Sequence, residues 1–582
     1  MRIARISVTG LSRNLQSRLL VLVLCCASAW APQALAFVDG SDRTLSRWGS
    51  FGEWTLSNPS FSGNPFDLIA SATFTHGATG TSITTGMFYA GNNQWKFRFT
   101  PTLTGTWQLN TNAADSDLNG WSGQVTVPNT ASRNGFVSQS NNSWIHSATG
   151  EAFLPNYVMY AGPHFFRTNT ALIDGDINRF MVNHGFAGFH VPVYCRWFDI
   201  NTARCSEVSN TDPDMNTFAA LETMIRRVYE RGGVVHLWAW GDSGRQQNPT
   251  SLNSQGGING VADQRLQRYI AARLGPLPGW TMGYGYDLFE WVNGSQLTSW
   301  RNRMQSLMGW RHLLGARADT NQFNQLSEAM DYASYETFEP TYDLYRTSFT
   351  VRPTKPSFSE DRFRFRGNDQ RAKDYTFDQM RLGMWDSALA GGVANIWGNL
   401  VLSDGVTYDE GINEAIRPSN SFPNASALRT FATFFENRFA VGMIPCNADA
   451  DGLCQRLPNN SARTVFARST SRIALNLSSM TGPISIRAVD TTRTYSEIDM
   501  GSFNATSVTV NLPYTADWAL AIGWDSASTP TPPAPTPPAP TPPAPTPPAP
   551  TPPAPTPPAP TPSNPAPERI ENVSVSGLDS DL

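Results

Sequence analysis

Charged residues are scarce in this chain, and neither sign dominates. Of 582 residues, 15% are Asp, Glu, Lys or Arg, and the 43 basic and 47 acidic side chains leave a formal net charge of -4. A protein with so little net charge has no bulk attraction for nucleic acid or for an anionic membrane surface. The composition therefore predicts no nucleic-acid partner.

Long apolar runs are missing after the first 36 residues. Within that segment, four arginines precede the apolar stretch 19–31, and the small-residue run Ala34, Leu35, Ala36 follows it. The apolar stretch is too short to span a bilayer, and this order of segments is typical of a cleaved signal peptide. We therefore expect a signal peptide at 1–36, no membrane span, and a secreted protein that is extracellular or periplasmic.

Cysteine and histidine are also rare, with six and seven residues. Four cysteines follow the signal segment: Cys195, Cys205, Cys446 and Cys454. Export permits two local disulfides, and the rival zinc site lacks both C-x2-C spacing and clustered histidines. The chain has no phosphate-binding glycine loop, no nicotinamide fingerprint, no H-E-x-x-H and no G-x-S-x-G. We expect no cofactor and no metal, and the sequence leaves the oligomeric state open.

A chain of this length is expected to form several domains. Alternating runs rich in Thr, Ser and Gly predict a β-sandwich at 37–135, and a second β-sandwich at 447–525. Six Thr-Pro-Pro-Ala-Pro repeats at 531–560 lie in a Pro-rich linker assigned to 526–569, and a short tail covers 570–582.

The middle of the chain, residues 136–446, alternates short β-rich runs with helical patterns. Such alternation predicts parallel strands joined by helices, and eight units in about 300 residues is the size of a closed (β/α)8 TIM barrel. The predicted strands are 153–160, 186–194, 234–240, 280–287, 312–317, 332–337, 355–360 and 393–397, with helices at 377–389 and 425–435. The expected fold class is therefore multidomain, a TIM barrel flanked by two β-sandwich domains with a Pro-rich C-terminal linker.

Several motifs resemble those of secreted bacterial glycoside hydrolases. The N-terminal ones are NPFD at 64–67, FYAG at 88–91, 95–101 and GTW at 105–107. They resemble the uncharacterised β-sandwich domain that precedes many catalytic barrels in these enzymes. The run 463–524 resembles the β-domain with a provisional "collagen-binding" label that follows such barrels, and we interpret it as an accessory sandwich.

The barrel itself resembles the clan A (β/α)8 hydrolases at its last two strands. KPSFSE at 355–360 is similar to their seventh strand, whose final Glu is the nucleophile, and GGVANIWG at 391–398 is similar to their eighth, whose aromatic lines the sugar site. One departure concerns strand four, where clan members carry Asn-Glu and this chain has Gly285 at the aligned Glu position. The resemblance implies that the acid has moved to Asp287 or Glu290, or that the mechanism is altered.

The chemistry of glycosidic cleavage selects the candidate catalytic residues. It needs one carboxylic acid to protonate the leaving oxygen and one carboxylate to attack the sugar or activate water, and both must lie at the carboxyl ends of barrel strands. Glu360 is the expected nucleophile of a retaining enzyme, with Arg362 keeping it ionised. Glu290, between two aromatic residues, and Asp287, nearer the strand end, are the alternative acids.

Other polar and aromatic residues at predicted strand ends are candidate substrate contacts. They are His190, Tyr194, Arg196, His236, Trp238, Trp240, Arg317, Tyr335, Glu336, Arg362 and Trp397. Aromatic rings stack on sugars, and arginines pair with carboxylate or sulfate, which suggests an acidic or sulfated polysaccharide. Core packing for the aromatics, and orientation of the catalytic acids for the arginines, are the alternatives.

Two other functions fit the same residues. A polysaccharide lyase would remove a proton beside a uronate with a Tyr or His base. A non-catalytic carbohydrate-binding or adhesion protein would explain the accessory domains and the missing Asn-Glu.

Overall fold

The structure is a computed structural model, and it describes residues 41–49, 51–128, 134–160, 170–252, 256–320, 328–337, 339–365, 375–399, 422 and 424–524. The chain divides into two units, Met1–Ser526 and Ala527–Leu582, and every described residue belongs to the first. The predicted signal peptide, Pro-rich linker and tail lie outside the described residues.

Eight strands build the N-terminal domain. They are β1 (Arg43–Thr44), β2 (Gly52–Ser57), β3 (Ala70–His76), β4 (Ser82–Gly86), β5 (Phe88–Tyr89), β6 (Gln94–Phe99), β7 (Gly105–Ala113) and β8 (Ser122–Val127). One sheet has the order β1-β8-β7-β3-β4 and the other β2-β6-β5. Burial alternates along β3, and its inward Phe74 packs on Trp54 and Phe97 of the facing sheet. This domain is the predicted N-terminal sandwich, and the hairpin β9 (Val137–Ser140) and β10 (Ser143–His146) follows it.

The central domain is a parallel barrel. Its strands are β11 (Asn156–Met159), β12 (Gly188–Pro192), β13 (Val234–Trp240), β14 (Trp280–Gly285), β15 (Leu314–Gly315), β16 (Ala318–Thr320), β17 (Ala333–Glu336), β18 (Ser357–Phe365) and β19 (Ala394–Asn399). The short β15 pairs with β14 and the short β16 with β17, so the two occupy one strand position. Since β11 pairs with β19, eight strand positions form an almost closed ring, and all eight predicted strands are confirmed.

Seven α-helices accompany these strands in the described part of the chain. They are α1 (Thr170–Asp176), α2 (Met215–Glu230), α3 (Val261–Arg273), α4 (Gly294–Leu307), α5 (Tyr342–Val351), α6 (Phe377–Leu389) and α7 (Ala425–Phe435). A π-helix, Ile177–Asn183, continues α1. Capping boxes formed by Asn293 and Thr376 begin α4 and α6, because each side chain accepts the N–H three residues on. The bounds of α6 and α7 match the predicted helices.

The C-terminal β-domain is one six-stranded antiparallel sheet. Its strands are β20 (Ile444–Pro445), β21 (Leu453–Arg456), β22 (Arg463–Asn476), β23 (Ile484–Asp490), β24 (Glu497–Phe503) and β25 (Ser507–Ile522), in the order β20-β21-β22-β25-β23-β24. Its own core includes Val465, Ile473 and Trp518. Arg381 of α6 pairs with Asp517 at 2.6 Å and joins this sheet to the barrel.

Both predicted disulfides are present, Cys195–Cys205 and Cys446–Cys454. Among the described residues, no helix is both long enough and apolar enough to cross a membrane.

Candidate active site

The site begins with an irregularity in β18. Ser359 pairs with Asn395 of β19, but the next paired residue is Arg362, opposite Ile396, so Glu360 and Asp361 form a bulge. A bulge bends its strand and re-aims the side chains within it. The side chain of Glu360 consequently reaches into the barrel interior. The side chain of the neighbouring Asp361 instead contacts Arg317, at the fifth strand position.

Glu360 is completely buried and bonded through both carboxylate oxygens. Trp238 Nε1 donates to Oε1 at 2.8 Å, and His236 Nε2 lies 3.0 Å from the same oxygen. The Ser334 hydroxyl donates to Oε2. Since burying an unpaired charge is costly, these donors from β13 and β17 are what allow a carboxylate to sit inside the barrel.

The carboxylate also needs empty space on β14, and Gly283 provides it. A Cβ atom added to Gly283 would overlap Glu360 Oε1 far inside van der Waals contact and would approach Trp238 Cδ1 to 3.1 Å. Any side chain at this position would therefore displace the Glu360 carboxylate.

A second group of charges, which we call the Arg317 cluster, lies beside Glu360. Arg317 sits between β15 and β16 with only 3% of its side chain exposed, and it contacts Asp287, Glu336 at 3.3 Å and Asp361 at 3.3 Å. Burial opposes its charge, but the carboxylates of the cluster and of Glu360 together raise the pKa of Arg317 above its usual value. The cluster joins the carboxyl ends of the fourth to seventh strand positions, the place where barrel active sites form.

Three carboxylates gather around Arg317, and Glu360 is a fourth acid within its electrostatic reach. Acid-base chemistry on a sugar linkage needs one carboxylate and one carboxylic acid, and the acidic side chains of this region are candidates for both roles.

The two candidate acids lie in different surroundings. Asp287 has a left-handed backbone with φ of 52°, contacts Arg317, and exposes 31% of its side chain, more than Glu336 at 8%, Asp361 at 6% or Glu360 at 0%. Glu290 is exposed at the end of a 3-10 turn, Leu288–Glu290, and accepts the Ser243 N–H at 3.1 Å. The apolar setting expected for Glu290 is absent, because the turn buries Leu288 and leaves Phe289 53% exposed.

Gly285, at the position aligned with the acid of clan A enzymes, could not hold a glutamate in this backbone. Its φ of 149° is one that residues with side chains rarely adopt, and an added Cβ would overlap the Trp240 carbonyl oxygen. The backbone of β14 at Gly285 therefore accounts for the missing glutamate at this position.

Some of the predicted substrate contacts do gather inside the barrel. Trp238 packs on Tyr286 with ring centroids 4.9 Å apart, and Tyr286 on Tyr194 at 5.9 Å. His190 stacks on His236 at 5.3 Å and meets Trp238 edge-on at 4.3 Å. All five side chains are at most 5% exposed, and two of them, Trp238 and His236, contact Glu360 directly.

Other predicted substrate contacts lie in the hydrophobic core between the strands and the helices. Their position agrees with the alternative that these aromatic residues pack in the core. Trp240 packs on Phe198, Trp397 packs on Phe363, and Tyr335 is fully buried in the same apolar cluster. The reason is that successive residues of a strand face opposite sides, so a strand-end position alone does not say which side a residue faces. Arg196 is 5% exposed in a 3-10 helix after β12. The side chain of Arg362 lies outside the described residues.

Sequence reasoning missed several residues of this site, including Thr281, Gly283, Tyr286, Ser334 and Asp361. Two signals were available, because Ser334 lies two positions before Glu336 on one strand and Asp361 directly follows Glu360. The bulge that separates the directions of residues 360 and 361 had no recognisable pattern.

The chain resembles known proteins in one domain sequence and in its overall fold. Residues 44–114 match a family model described as "Domain of unknown function (DUF5060)". No curated protein matches the sequence. A proposed glycoside hydrolase from Bacteroides vulgatus ATCC 8482 superposes with a TM-score of 0.59 at 16% identity, over 83% of this chain and 99% of that one.

Two further solved structures share the barrel. A glycoside hydrolase family 5 protein from Bacteroides vulgatus ATCC 8482 has a TM-score of 0.50 at 13% identity, covering 66% of this chain and 92% of its own. A structure described as a glycoside hydrolase has a TM-score of 0.51 at 12% identity, covering 66% and 96%. At such identities the similarity establishes a common fold, a TIM-like barrel with flanking β-domains.

Proposed function

We propose that this chain is a secreted glycoside hydrolase that cleaves a polysaccharide at the carboxyl end of its barrel. The observation that carries the proposal is a buried, hydrogen-bonded carboxylate on the seventh strand, Glu360, beside a cluster in which Asp287 reaches solvent. The glycoside hydrolases with the same fold support the reaction class, and the two disulfides support export.

In the proposed retaining mechanism, Glu360 attacks the anomeric carbon and an acid protonates the leaving oxygen. Trp238 and Ser334 donate to Glu360 and so stabilise its negative charge before attack. Asp287 is favoured over Glu290 as the acid by its position, because it belongs to the cluster that includes Asp361, the neighbour of Glu360. Glu290 is instead exposed and accepts the Ser243 N–H.

Replacing Asp287 with Asn tests this assignment. The variant is expected to lose about 100-fold or more in kcat on an unactivated glycan, the usual contribution of a general acid. In kcat/KM, which reports the step that expels the leaving group, it should lose far less on an aryl glycoside with a nitrophenyl leaving group, because that group departs without protonation. Glu290→Gln is the matched control, and the assignment to Asp287 fails if Glu290→Gln shows this leaving-group dependence instead.

The substrate class is tested with a panel of glycans. An acidic or sulfated substrate remains the hypothesis from sequence, but three carboxylates already pair with Arg317, which favours the alternative that this arginine orients the acids. We therefore expect new reducing ends on neutral glycans. Cleavage confined to uronate or sulfated glycans would reverse this assignment, and an unsaturated product absorbing in the ultraviolet would replace hydrolysis by lyase chemistry.

Two observations favour a second candidate, a glycan-binding barrel that does not hydrolyse. Glu360 has no exposed surface, and Gly285 occupies the position aligned with the clan A acid. Retention of glycans on immobilised protein, with no product from any member of the panel, would establish this second function and reject the first.

A further inference from the structure

Three buried side chains, Thr281, His236 and Glu360, form a continuous hydrogen-bonded series inside the barrel. Thr281 Oγ1 lies 2.9 Å from His236 Nδ1, and His236 Nε2 lies 3.0 Å from Glu360 Oε1. None of the three is more than 1% exposed. Since both ring nitrogens of His236 have a partner at hydrogen-bond distance, the position of its ring proton decides which way the whole series donates.

The direction of hydrogen bonding in this series follows from Trp238, which also contacts Glu360 Oε1. The indole N–H of Trp238 can only donate, so Glu360 Oε1 acts as an acceptor, and it accepts most favourably from His236 as well. The proton of a neutral His236 then lies on Nε2, and Nδ1 must accept from the Thr281 hydroxyl.

Other side chains also pack against the series. Burial raises the pKa of Tyr157 against an opposing hydrogen bond with Thr281, and Glu360 raises it further. Rings also surround His236, with Phe358 at 4.7 Å, His190 at 5.3 Å and Tyr157 at 5.9 Å between centroids. These rings enclose the imidazole and leave its two nitrogens facing Thr281 and Glu360.

We propose that Thr281 holds His236 as its neutral Nε2–H tautomer, and that Thr281 and His236 are positioning residues for the Glu360 carboxylate. The role of Glu360 in this statement rests on the proposed hydrolase function, whereas the tautomer does not. Neutral donors would fix the direction of the carboxylate without neutralising the charge that attacks the sugar.

The test replaces the Thr281 hydroxyl with a methyl group of the same size. Thr281→Val should leave KM within about twofold and lower kcat about 10- to 100-fold, the range typical of partners that orient a reacting group. Thr281→Ser, which restores the hydroxyl, should recover kcat. Thr430→Val is the matched control, because Thr430 is buried and its hydroxyl donates at 2.6 Å to the Arg493 carbonyl, away from the barrel interior.

A spectroscopic measurement separates this inference from the proposed function. Side-chain nitrogen-proton NMR spectra of the seven histidines, with His236 assigned by its loss in His236→Asn, report which ring nitrogen carries the proton. We expect a proton on Nε2 alone in the wild-type protein and a changed His236 pattern in Thr281→Val. A proton on Nδ1, or on both nitrogens, overturns the inference, as does Thr281→Val with unchanged spectrum and kcat. A protein that hydrolyses no glycan would reject the proposed function, while the spectrum would still decide the tautomer.

Discussion

Glu360→Gln is expected to abolish hydrolysis while leaving the barrel folded. Loss of the carboxylate removes the nucleophile, and we expect kcat to fall by at least about 1000-fold, as for other single catalytic groups. The fold should survive because the amide oxygen can accept from Trp238 and His236, while the amide N–H can donate to Ser334, whose hydroxyl can also accept. Reducing-end release and thermal unfolding measure the two outcomes.

Asp499→Asn is the control for this variant. Asp499 lies in the C-terminal sheet with 64% of its side chain exposed, so the same chemical change there should alter neither activity nor stability. Full turnover by Glu360→Gln would end the proposal that Glu360 is the nucleophile. Loss of activity together with loss of the folded state would show a structural role instead.

Gly283→Ala is expected to have the second large effect. The new methyl group would overlap the Glu360 carboxylate and crowd Trp238. We expect the free energy of unfolding to fall by about 1–3 kcal/mol, as in other overpacked cores, and kcat to fall because the carboxylate is displaced from its donors. Urea unfolding and turnover of the same preparation measure the two effects.

A double-mutant cycle identifies the cause of that destabilisation. In a Glu360→Ala background the overlapping carboxylate is gone, so Gly283→Ala should cost little, with a coupling of about 1–3 kcal/mol between the two sites. Gly175→Ala is the control, because an added Cβ there meets nothing within 4 Å. Equal costs of Gly283→Ala in both backgrounds would contradict the assigned contact.

The fold was largely predictable, because its signals are local. Apolar runs such as 234–240 are buried on both faces of a parallel sheet, and all seven residues of β13 are indeed buried. Capping residues, Gly-rich turns and cysteine spacing are likewise properties of neighbouring residues. The strand order of the C-terminal domain, one hydrogen-bonded sheet of six strands, depends on pairing between distant strands and was not predicted.

The candidate site was predictable only in part. Glu360 was found from its strand end, and Asp287 from its proximity to β14. The positions of Trp240, Tyr335 and Trp397 in the core depend on which face of each strand turns inward, and this requires the register of the whole ring.

The sequence alone determined the fold class, the eight strands of the barrel, both disulfides and the presence of an acid at position 360. These are consequences of short-range pattern and composition. Only the tertiary structure decided that Glu360 reaches into the space beside Gly283 and that Arg317 joins Asp287, Glu336 and Asp361. The physical reason is that a bulge in one strand and the closure of the barrel bring together side chains that are far apart in the chain, and no local pattern encodes those distances.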